Sequence, residues 1–579
     1  MAAHMKKAIL LLTVVCAPVF LWAQNRQVPL KHRVARLSFS VVEAGIPQMQ
    51  AAMKESRVTS RELVLQYLTR IALYNRRLNA IITVNQNALR EADELDGERA
   101  AGHVRGPLHG IPIALKDNIQ TADMPTTGGA LAFDGLVPPY EATITRNLRE
   151  AGAIILVKTT MTELANWVAG DPTPMPGGYN GLIGFSMNPY DPRRDPRDGT
   201  FDGRPALGVG GSSSGVGTSA NFWAANVGSE TSGSILNPAN QNMLVGIKPT
   251  VGRISRYGVI PITADQDTAG PMGKTVTDAA ILLGALESAK PDPNDPATTK
   301  CPAPPDRDYT RFLKADGLKG ARIGVPRAFY YDGFTPPGEK EPRGGLTPEQ
   351  LGVMADAIAV LKQQGAEVVD PADMPSVLSK DAQTSIVKWS ICSGQENGKG
   401  KDADCSVVLK YGMKRDFNKW LASLGPAAPV KSLNELRKFN LAHTAANSIK
   451  FGQSQLDISD EMDVEADRAR YEADRAKDLK LAGEQGIDAA LKEHKLDALL
   501  FPGATGAAIA AKPGYPTVIV PFGMVPNAPK MPFPNGFNAK PAPFGVSFTA
   551  TACSEPRLIE LAYAFEQATH RRIPPPAVP

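Results

Sequence analysis

The sequence predicts an α/β protein built in layers on a mixed β-sheet, and three observations support this. Short apolar runs of the kind that form buried strands recur along the chain. Segments whose apolar residues follow helical spacing, two of them opened by a capping box, lie between these runs. Stretches rich in proline and glycine separate the two kinds of segment. Strands that alternate with helices are typical of layered α/β folds.

Five apolar runs are predicted to be strands, and two sites are predicted to start helices. The strands are, in chain order, IPIALK (111–116), AIILVK (153–158), ARIGVP (321–326), LDALLFPG (496–503) and TVIVPFG (517–523). The capping boxes are Thr59 with Glu62 and Thr160 with Glu163. Residues 285–350 are proline-rich and polar, and residues 375–490 are helical and charged. We therefore expect a helical cap or insertion at about 285–490 on the same domain.

Composition excludes several classes of function. The 579 residues include 63 Lys and Arg against 59 Asp and Glu, and no basic block is interleaved with aromatic residues. This balance argues against nucleic acid as a partner. The chain has no CxxC pair and no HExxH motif. We therefore expect neither a metal site nor a cofactor.

The N-terminus has the pattern of a signal peptide. Lys6 and Lys7 precede the apolar run AILLLTVVCAPVFLWA, which ends at Ala23 and is short for a membrane span. We therefore expect a signal peptide over 1–23 and an extension over 24–39. The mature protein is then periplasmic or secreted, with no stable membrane insertion after cleavage.

Export would leave four cysteines in an oxidising compartment: Cys301, Cys392, Cys405 and Cys553. Cys392 and Cys405 flank the polar segment SGQENGKGKDAD. A disulfide between these two is the predicted pairing, with free thiols as the alternative.

The residues with the clearest chemistry lie between Gly210 and Ser234. This stretch holds two serine clusters beside glycines, and Ser212 and Ser234 are 22 positions apart. A lone lysine, Lys116, follows an apolar run upstream. A serine hydroxyl attacks a carbonyl once a base removes its proton. The pattern indicates a serine hydrolase that uses lysine as its base.

These motifs resemble those of the amidase signature family, closest to its peptide-amidase-like branch. The matching segments are GPLHGIPIALKDNI (106–119), GGSSSG (210–215), GSETSGSILNPA (228–239), VGIKPTVGRISRYGVIP (245–261) and QDTAGPM (266–272). The resemblance covers residues 40–575 and implies a single large α/β/α sandwich around a broad mixed β-sheet. It also implies an amidase that cleaves C–N bonds of small-molecule or short-peptide amides, with esterase activity as a possible side reaction.

The resemblance implies a role for each site residue. Ser234 is the nucleophile, Lys116 the base and Ser212 the relay between them. The backbone N–H groups of the oxyanion hole belong to Thr231, Ser232, Gly233 and Ser234, although the family often has glycine where Ser232 stands. The family's usual spacing between relay and nucleophile is two residues longer, so Ser213 or Ser214 remains an alternative relay.

Lysine can act as the base only if its pKa falls well below its usual value of about 10.4. Burial supplies such a shift, because desolvation disfavours the charged amine. The run IPIAL before Lys116 provides an apolar setting. A carboxylate facing the amine would oppose the shift, so we expect Asp117 to point elsewhere.

Two further features allow more than one interpretation. Residues 193–209 are longer than the usual family connection, and either shape the rim of the site or form a solvated loop. Trp167, Tyr179 and Phe185 either line an aromatic pocket or belong to the core.

Three other functions compete. A glutamyl-tRNA amidotransferase-type subunit shares the motifs, but works in the cytoplasm with partner subunits. Gly211–Gly215 also satisfies the nucleophile elbow of an α/β-hydrolase-type esterase, which needs a downstream histidine such as His443, His494 or His570. A non-catalytic periplasmic binding protein is the third alternative.

Overall fold

The computed structural model of the chain describes residues 39–197, 202–211 and 214–579. Residues 39–579 form one compact unit. The predicted signal peptide and nearly all of the predicted extension lie outside the described residues. No described helix has the length and apolar character needed to cross a bilayer.

Within the described ranges the strands are β1 (Ile81–Val84), β2 (Pro112–Lys116), β3 (Ile154–Thr159), β4 (Tyr179–Asn180), β5 (Gly184–Phe185), β6 (Asn226–Glu230), β7 (Val245–Lys248), β8 (Thr268–Gly273), β9 (Arg322–Gly324), β10 (Glu367–Val369), β11 (Ser390–Ile391), β12 (Cys405–Ser406), β13 (Ala498–Pro502), β14 (Thr517–Val525) and β15 (Ala542–Thr549).

The α-helices of the same ranges are α1 (Ile46–Lys54), α2 (Ser60–Leu78), α3 (Ala88–Ala100), α4 (Thr143–Glu150), α5 (Ser214–Ser219), α6 (Leu236–Gln241), α7 (Val276–Leu286), α8 (Pro348–Gln363), α9 (Pro375–Leu378), α10 (Val408–Gly412), α11 (Asn418–Ser423), α12 (Leu433–Ala442), α13 (Ser454–Asp460), α14 (Arg468–Asp478), α15 (Asp488–His494), α16 (Ala507–Ala511) and α17 (Glu555–Thr569).

Eleven strands form one mixed sheet in the order β1-β3-β2-β6-β8-β7-β14-β15-β13-β9-β10. The five predicted strands are all present, as β2, β3, β9, β13 and β14. Every residue of β2 and β3 is buried, as expected for strands covered on both faces. The predicted mixed α/β architecture is therefore confirmed.

Three neighbouring parallel strands place the candidate site residues at one edge of the sheet. β2 runs parallel to β3 and to β6, with Ala114 opposite Asn226. The carboxyl ends of these strands therefore meet at one edge of the sheet, where ligands bind in many α/β proteins. Lys116 ends β2, and the loop that carries Ser234 follows β6.

One of the two predicted capping boxes is confirmed and the other is wrong. At the start of α2 the Thr59 side chain accepts the N–H of Glu62, whose carboxylate accepts the N–H of Thr59. At the second site the carboxylate of Glu163 instead accepts the N–H of Gly181, 3.0 Å away. Thr160 donates its hydroxyl to the carbonyl of Asn79 at 3.0 Å. These tertiary hydrogen bonds displace the local ones.

The segment predicted as a cap divides between two environments. β9 and β10 extend the main sheet, with Val368 opposite Ile323. Helices α10 to α13 instead contribute to a second apolar core that contains Phe133, Trp167 and Phe417. The domain boundary at about 285–490 stays a prediction.

The long loop before the first serine cluster is attached to the hairpin between β14 and β15. The guanidinium of Arg193 lies 4.2 Å from the ring centroid of Phe537, and that of Arg197 lies 4.8 Å from Phe533. Arg197 also donates to the carbonyl of Met531 at 2.8 Å. The described part of the 193–209 segment therefore packs against the connection between β14 and β15. Cation–π contacts of this kind are moderately stabilising.

The four cysteines in the described ranges form two disulfides. Cys392 is bonded to Cys405, as predicted, and Cys301 is bonded to Cys553. Cys392 and Cys405 lie in a small apolar cluster with Val407, Tyr411 and Met462. The first disulfide closes a short loop, and the second joins positions that are 252 residues apart.

Removing the shorter disulfide tests this pairing. The bond joins residues 13 apart, and closing a loop of that size stabilises a fold by about 3 kcal/mol. We expect the Cys392→Ser/Cys405→Ser double variant to lose about that much unfolding free energy in urea titrations at 25 °C. An unchanged midpoint, with free thiols found in the wild-type protein, would show that the pair is not bonded. A Cys301→Ser/Cys553→Ser variant, which removes the other disulfide and keeps Cys392–Cys405, is the matched comparison.

Candidate active site

Lys116 is buried at the end of β2 and faces a hydroxyl group. Its side chain is fully inaccessible to solvent. Its Nζ donates to Ser229 Oγ at 3.0 Å and to the Ser229 carbonyl at 3.1 Å. Burial lowers the Lys116 pKa to about 8, while the carboxylates of Asp267 and Glu230 act in the opposite direction. At pH 7 about one amine in ten is then neutral, several hundred times more than for an ordinary lysine.

Asp117 points away from Lys116, as the sequence analysis expects. Its carboxylate accepts the N–H of Thr127 at 3.0 Å and lies 3.4 Å from the Nζ of Lys158. Lys158 in turn donates to the carbonyl of Pro125 at 3.1 Å. Burial raises the pKa of Asp117 and lowers that of Lys158, and each group's charge opposes the shift of the other. This pair fixes the loop beside the site, and no described carboxylate forms an ion pair with Lys116.

The predicted nucleophile follows β6 in a tight loop. Ser234 is half-buried and Ser232 is exposed. Gly233 has a φ of 100°, and a Cβ there would lie 2.5 Å from the Nδ2 of Asn237, so the position requires glycine. The N–H of Asn237 donates to the Gly233 carbonyl at 2.7 Å and closes the first turn into α6. Within the described part of the chain, the N–H groups of Gly233 and Ser234 have no hydrogen-bond acceptor.

Two buried carboxylates hold this loop from both sides. Oε2 of Glu230 accepts the N–H groups of Ile235 at 2.8 Å and Leu236 at 3.0 Å. Asp267 accepts the hydroxyl of Thr231, and its other oxygen accepts the N–H of Ile262 at 2.8 Å. Burial raises the pKa of Asp267 to about 7. The carboxylates orient the loop and add negative potential near Lys116.

The predicted relay, Ser212, lies outside the described residues, as does Ser213. Gly211, immediately before them, accepts the N–H of Thr162 through its carbonyl at 3.2 Å. Helix α5 begins at Ser214. The role of Ser212 as the relay therefore stays a prediction.

Sequence reasoning missed two residues of this site, Ser229 and Asp267. Both lie in segments that carry the family resemblance, GSETSGS and QDTAGPM. Nothing in one sequence shows that the Ser229 hydroxyl meets Lys116, because the contact joins residues that are 113 positions apart. The buried carboxylate of Asp267 likewise reaches Thr231 across the pairing of β6 with β8.

The other sequence expectations concern aromatic residues and metals. Trp167, Tyr179 and Phe185 are buried in the second apolar core, with exposed fractions of 3%, 5% and 8%. In the part of the chain that the structure describes, no group of three or more His, Cys, Asp or Glu residues is arranged to hold a metal ion.

Comparisons with known proteins find amidases and amidotransferase subunits among the relatives of this chain. The sequence profile of the family described as Amidase matches residues 62–559. The chain is 33% identical over 545 residues to a probable amidase of Arabidopsis thaliana, covering 93% of this chain and 92% of that protein. It is 30% identical over 537 residues to a subunit of the glutamyl-tRNA(Gln) amidotransferase of Rhodopirellula baltica, covering 90% and 96% of the two chains.

Solved structures give the same result for the fold. The native peptide amidase of Stenotrophomonas maltophilia superimposes with a TM-score of 0.74 at 36% identity, over 92% of this chain and 98% of that one. An amidase family protein of Bacillus anthracis gives 0.75 at 30% identity, over 92% of both chains. The mixed sheet with its helices is thus the α/β/α sandwich of the amidase signature enzymes.

The buried amine makes a prediction about stability. The Lys116 pKa is about 8 in the folded state against an ordinary 10.5, so burying the ammonium costs about 3 kcal/mol below pH 8. We expect Lys116→Met to be more stable than wild type at about pH 6. The difference should shrink as the pH rises from about 8 towards 10.5, because the wild-type amine is then neutral in the folded state.

Urea unfolding at several pH values measures this difference. Lys410→Met is the matched control, because Lys410 is equally buried but pairs with Asp402 at 3.0 Å and Glu461 at 2.9 Å. Its loss strands two carboxylates and should destabilise the protein. Equal destabilisation by both substitutions would mean that the Lys116 ammonium is well solvated or paired.

Proposed function

This chain belongs to the amidase family, and on that premise we propose that it is an exported serine amidohydrolase that forms an acyl-enzyme on Ser234. The observation that carries the proposal is the position of Lys116. Its amine is buried, has a lowered pKa and contacts the hydroxyl of Ser229. Ser229 belongs to β6, the strand that leads into the Ser234 loop. The similarity to a peptide amidase supports an amide as substrate.

In the proposed reaction the neutral Lys116 takes a proton from Ser212 while Ser212 takes one from Ser234. The Ser234 oxygen then bonds to the amide carbonyl carbon, and the carbonyl electron pair moves to its oxygen. The C–N bond breaks when this pair returns, and the amine leaves with a proton that Ser212 donates and Lys116 replaces. Water next attacks the acyl ester, gives a proton to the relay and releases the acid and the Ser234 hydroxyl.

The loop of Thr231, Ser232, Gly233 and Ser234 is the proposed oxyanion hole. Backbone N–H groups held in fixed positions stabilise the negative oxygen of the intermediate, each by about 3 kcal/mol. Glu230 and Asp267 contribute by fixing the loop, since they accept hydrogen bonds from Ile235 and Thr231 respectively.

We also propose that the protein is exported and acts on small-molecule or short-peptide amides, with esters as possible secondary substrates. The two disulfides support export, because such bonds persist mainly in oxidising compartments. The apolar run that ends at Ala23, in the part of the chain outside the described residues, has the composition of a signal peptide.

Replacing the nucleophile tests the proposal directly. We expect wild type to hydrolyse an N-acyl amino-acid amide and to bind one equivalent of a fluorophosphonate probe. Ser234→Ala should lose at least about 1,000-fold in kcat/KM and all labelling, because the proposed attacking oxygen is removed. Ser232→Ala, two residues away and exposed, is the matched control and should keep its labelling. Labelling of a correctly folded Ser234→Ala variant at the wild-type rate would end the assignment and favour a different nucleophile.

The base makes its own prediction. Because Lys116 acts in its neutral form and has a pKa of about 8, kcat/KM should fall about tenfold per pH unit below that pH. The Asp267 carboxylate raises this pKa, so Asp267→Asn should move the acid limb to lower pH.

Asp265→Asn is the control for this shift, because Asp265 pairs with Arg415 at 3.1 Å and contacts Tyr471 rather than the site. Its pH profile should match wild type. An acid limb that stays in place in Asp267→Asn, or that moves equally in both variants, would show that Asp267 does not act on the base.

A further inference from the structure

A separate polar cavity lies beyond the candidate active site. It has a volume of about 570 Å³. Three parts of the chain enclose it: the end of α2, the hairpin of β4 and β5 with the loop after it, and the segment at 447–450. A volume of this order accommodates a small molecule.

Four cationic side chains line this cavity: Arg76, Arg77, Arg194 and Lys450. All four are exposed at the surface. None of them has a carboxylate partner among the described residues, and Arg77 makes only a long hydrogen bond to the Ala577 carbonyl at 3.5 Å. The positive charges that converge here therefore have no ion-pair partner among the described residues.

Most arginines of the adjoining loop form ion pairs with nearby aspartates, in contrast to the cations that line the cavity. Three of its arginines bind the aspartates two residues before them: Arg193 with Asp191, Arg197 with Asp195 and Arg204 with Asp202. Asp202 is the one carboxylate residue among the described residues that line the cavity, and Arg204 already occupies it at 2.7 Å. Arg194 belongs to the same loop and has no such partner in the described ranges.

Lys450 is held in a fixed position. Its ammonium lies 5.3 Å from the ring centroid of Tyr179 and 5.6 Å from that of Phe185. It donates to the Asp202 carbonyl at 2.8 Å. These contacts already restrict the Lys450 side chain, so it loses less conformational entropy when it forms an ion pair with a ligand. Its side chain is therefore prepared to bind an anion.

Little negative charge lies just behind the hairpin to cancel these cations. The carboxyl group of Glu163 accepts the N–H of Gly181 there, at 3.0 Å. Burial raises the Glu163 pKa to about 8, so this group is mainly protonated at neutral pH. The dipole of α2 explains arginines in its last turn, Arg76 and Arg77. It does not explain the approach of Arg194 and Lys450 from two other segments.

We propose that this cavity binds a small ligand that carries at least two oxyanion groups, as phosphate, sulfate or carboxylate. A concave surface with one sign of charge concentrates counterions. Guanidinium groups match the oxygens of phosphate and carboxylate in paired hydrogen bonds. Four cations line the described part of the cavity, which is more positive charge than a single oxyanion group would balance, so at least two such groups are proposed. Binding should weaken with salt, since the cations are exposed.

Calorimetric titration of the full chain with pyrophosphate tests the proposal, at an ionic strength of about 20 mM. We expect saturable binding at one site. Arg76→Gln/Arg194→Gln should weaken it by about tenfold or more, because it removes two of the cations that would form charge-assisted hydrogen bonds to the anion. Lys450→Gln, a second independent variant, should also weaken it.

Arg146→Gln is the matched control, because Arg146 is exposed on α4 and does not line the cavity. It should bind as wild type does. Citrate, titrated in the same way, shows whether the cavity recognises carboxylate as well as phosphate. Inorganic phosphate shows whether one oxyanion group binds as well as two. The proposal would be overturned if none of these probes bound saturably to wild type. Equal affinity of wild type and Arg76→Gln/Arg194→Gln would do the same.

Discussion

The enclosure of one amine at the edge of the sheet is the constraint on which the rest of the site depends. β2 delivers Lys116 there with no access to solvent, and the parallel pairing of β2 with β6 brings Ser229 to meet it. The ammonium loses its hydration without gaining an ion pair in the described part of the chain, and its pKa falls. Asp117 would cancel this effect if it turned towards the amine, and Lys158 holds it away.

The carboxylates near the loop have two opposing effects. Glu230 and Asp267 hold the Ser234 loop in place, which favours a fixed set of N–H donors. Both also raise the pKa of Lys116 and so reduce the fraction of its amine that is neutral. Asp267 is itself buried and has a pKa of about 7, so part of its charge is lost at neutral pH. The same two residues thus affect both the conformation of the loop and the pKa of the Lys116 amine.

Sequence alone predicts the parts of this protein that local physics determines. The five apolar runs are strands because their length and apolar content leave few other options, and Thr59 caps α2 through neighbours only three residues away. The second predicted capping box does not form, because the carboxylate of Glu163 accepts the N–H of Gly181, which lies farther along the chain. The cavity is beyond sequence reasoning for the same reason, since its cations converge from segments more than 100 residues apart.

A lowered pKa by itself does not identify a catalytic base. Lys248 is also fully buried and also has a pKa of about 8, yet its Nζ donates to the Tyr515 carbonyl, a group that has no proton to give. Lys410 is equally buried, but its amine forms ion pairs with Asp402 and Glu461. Lys116 differs because its amine is both desolvated and in contact with a hydroxyl, on the strand that leads to Ser234. A base needs a proton donor within reach as well as a suitable pKa, and among these three lysines that combination belongs to Lys116.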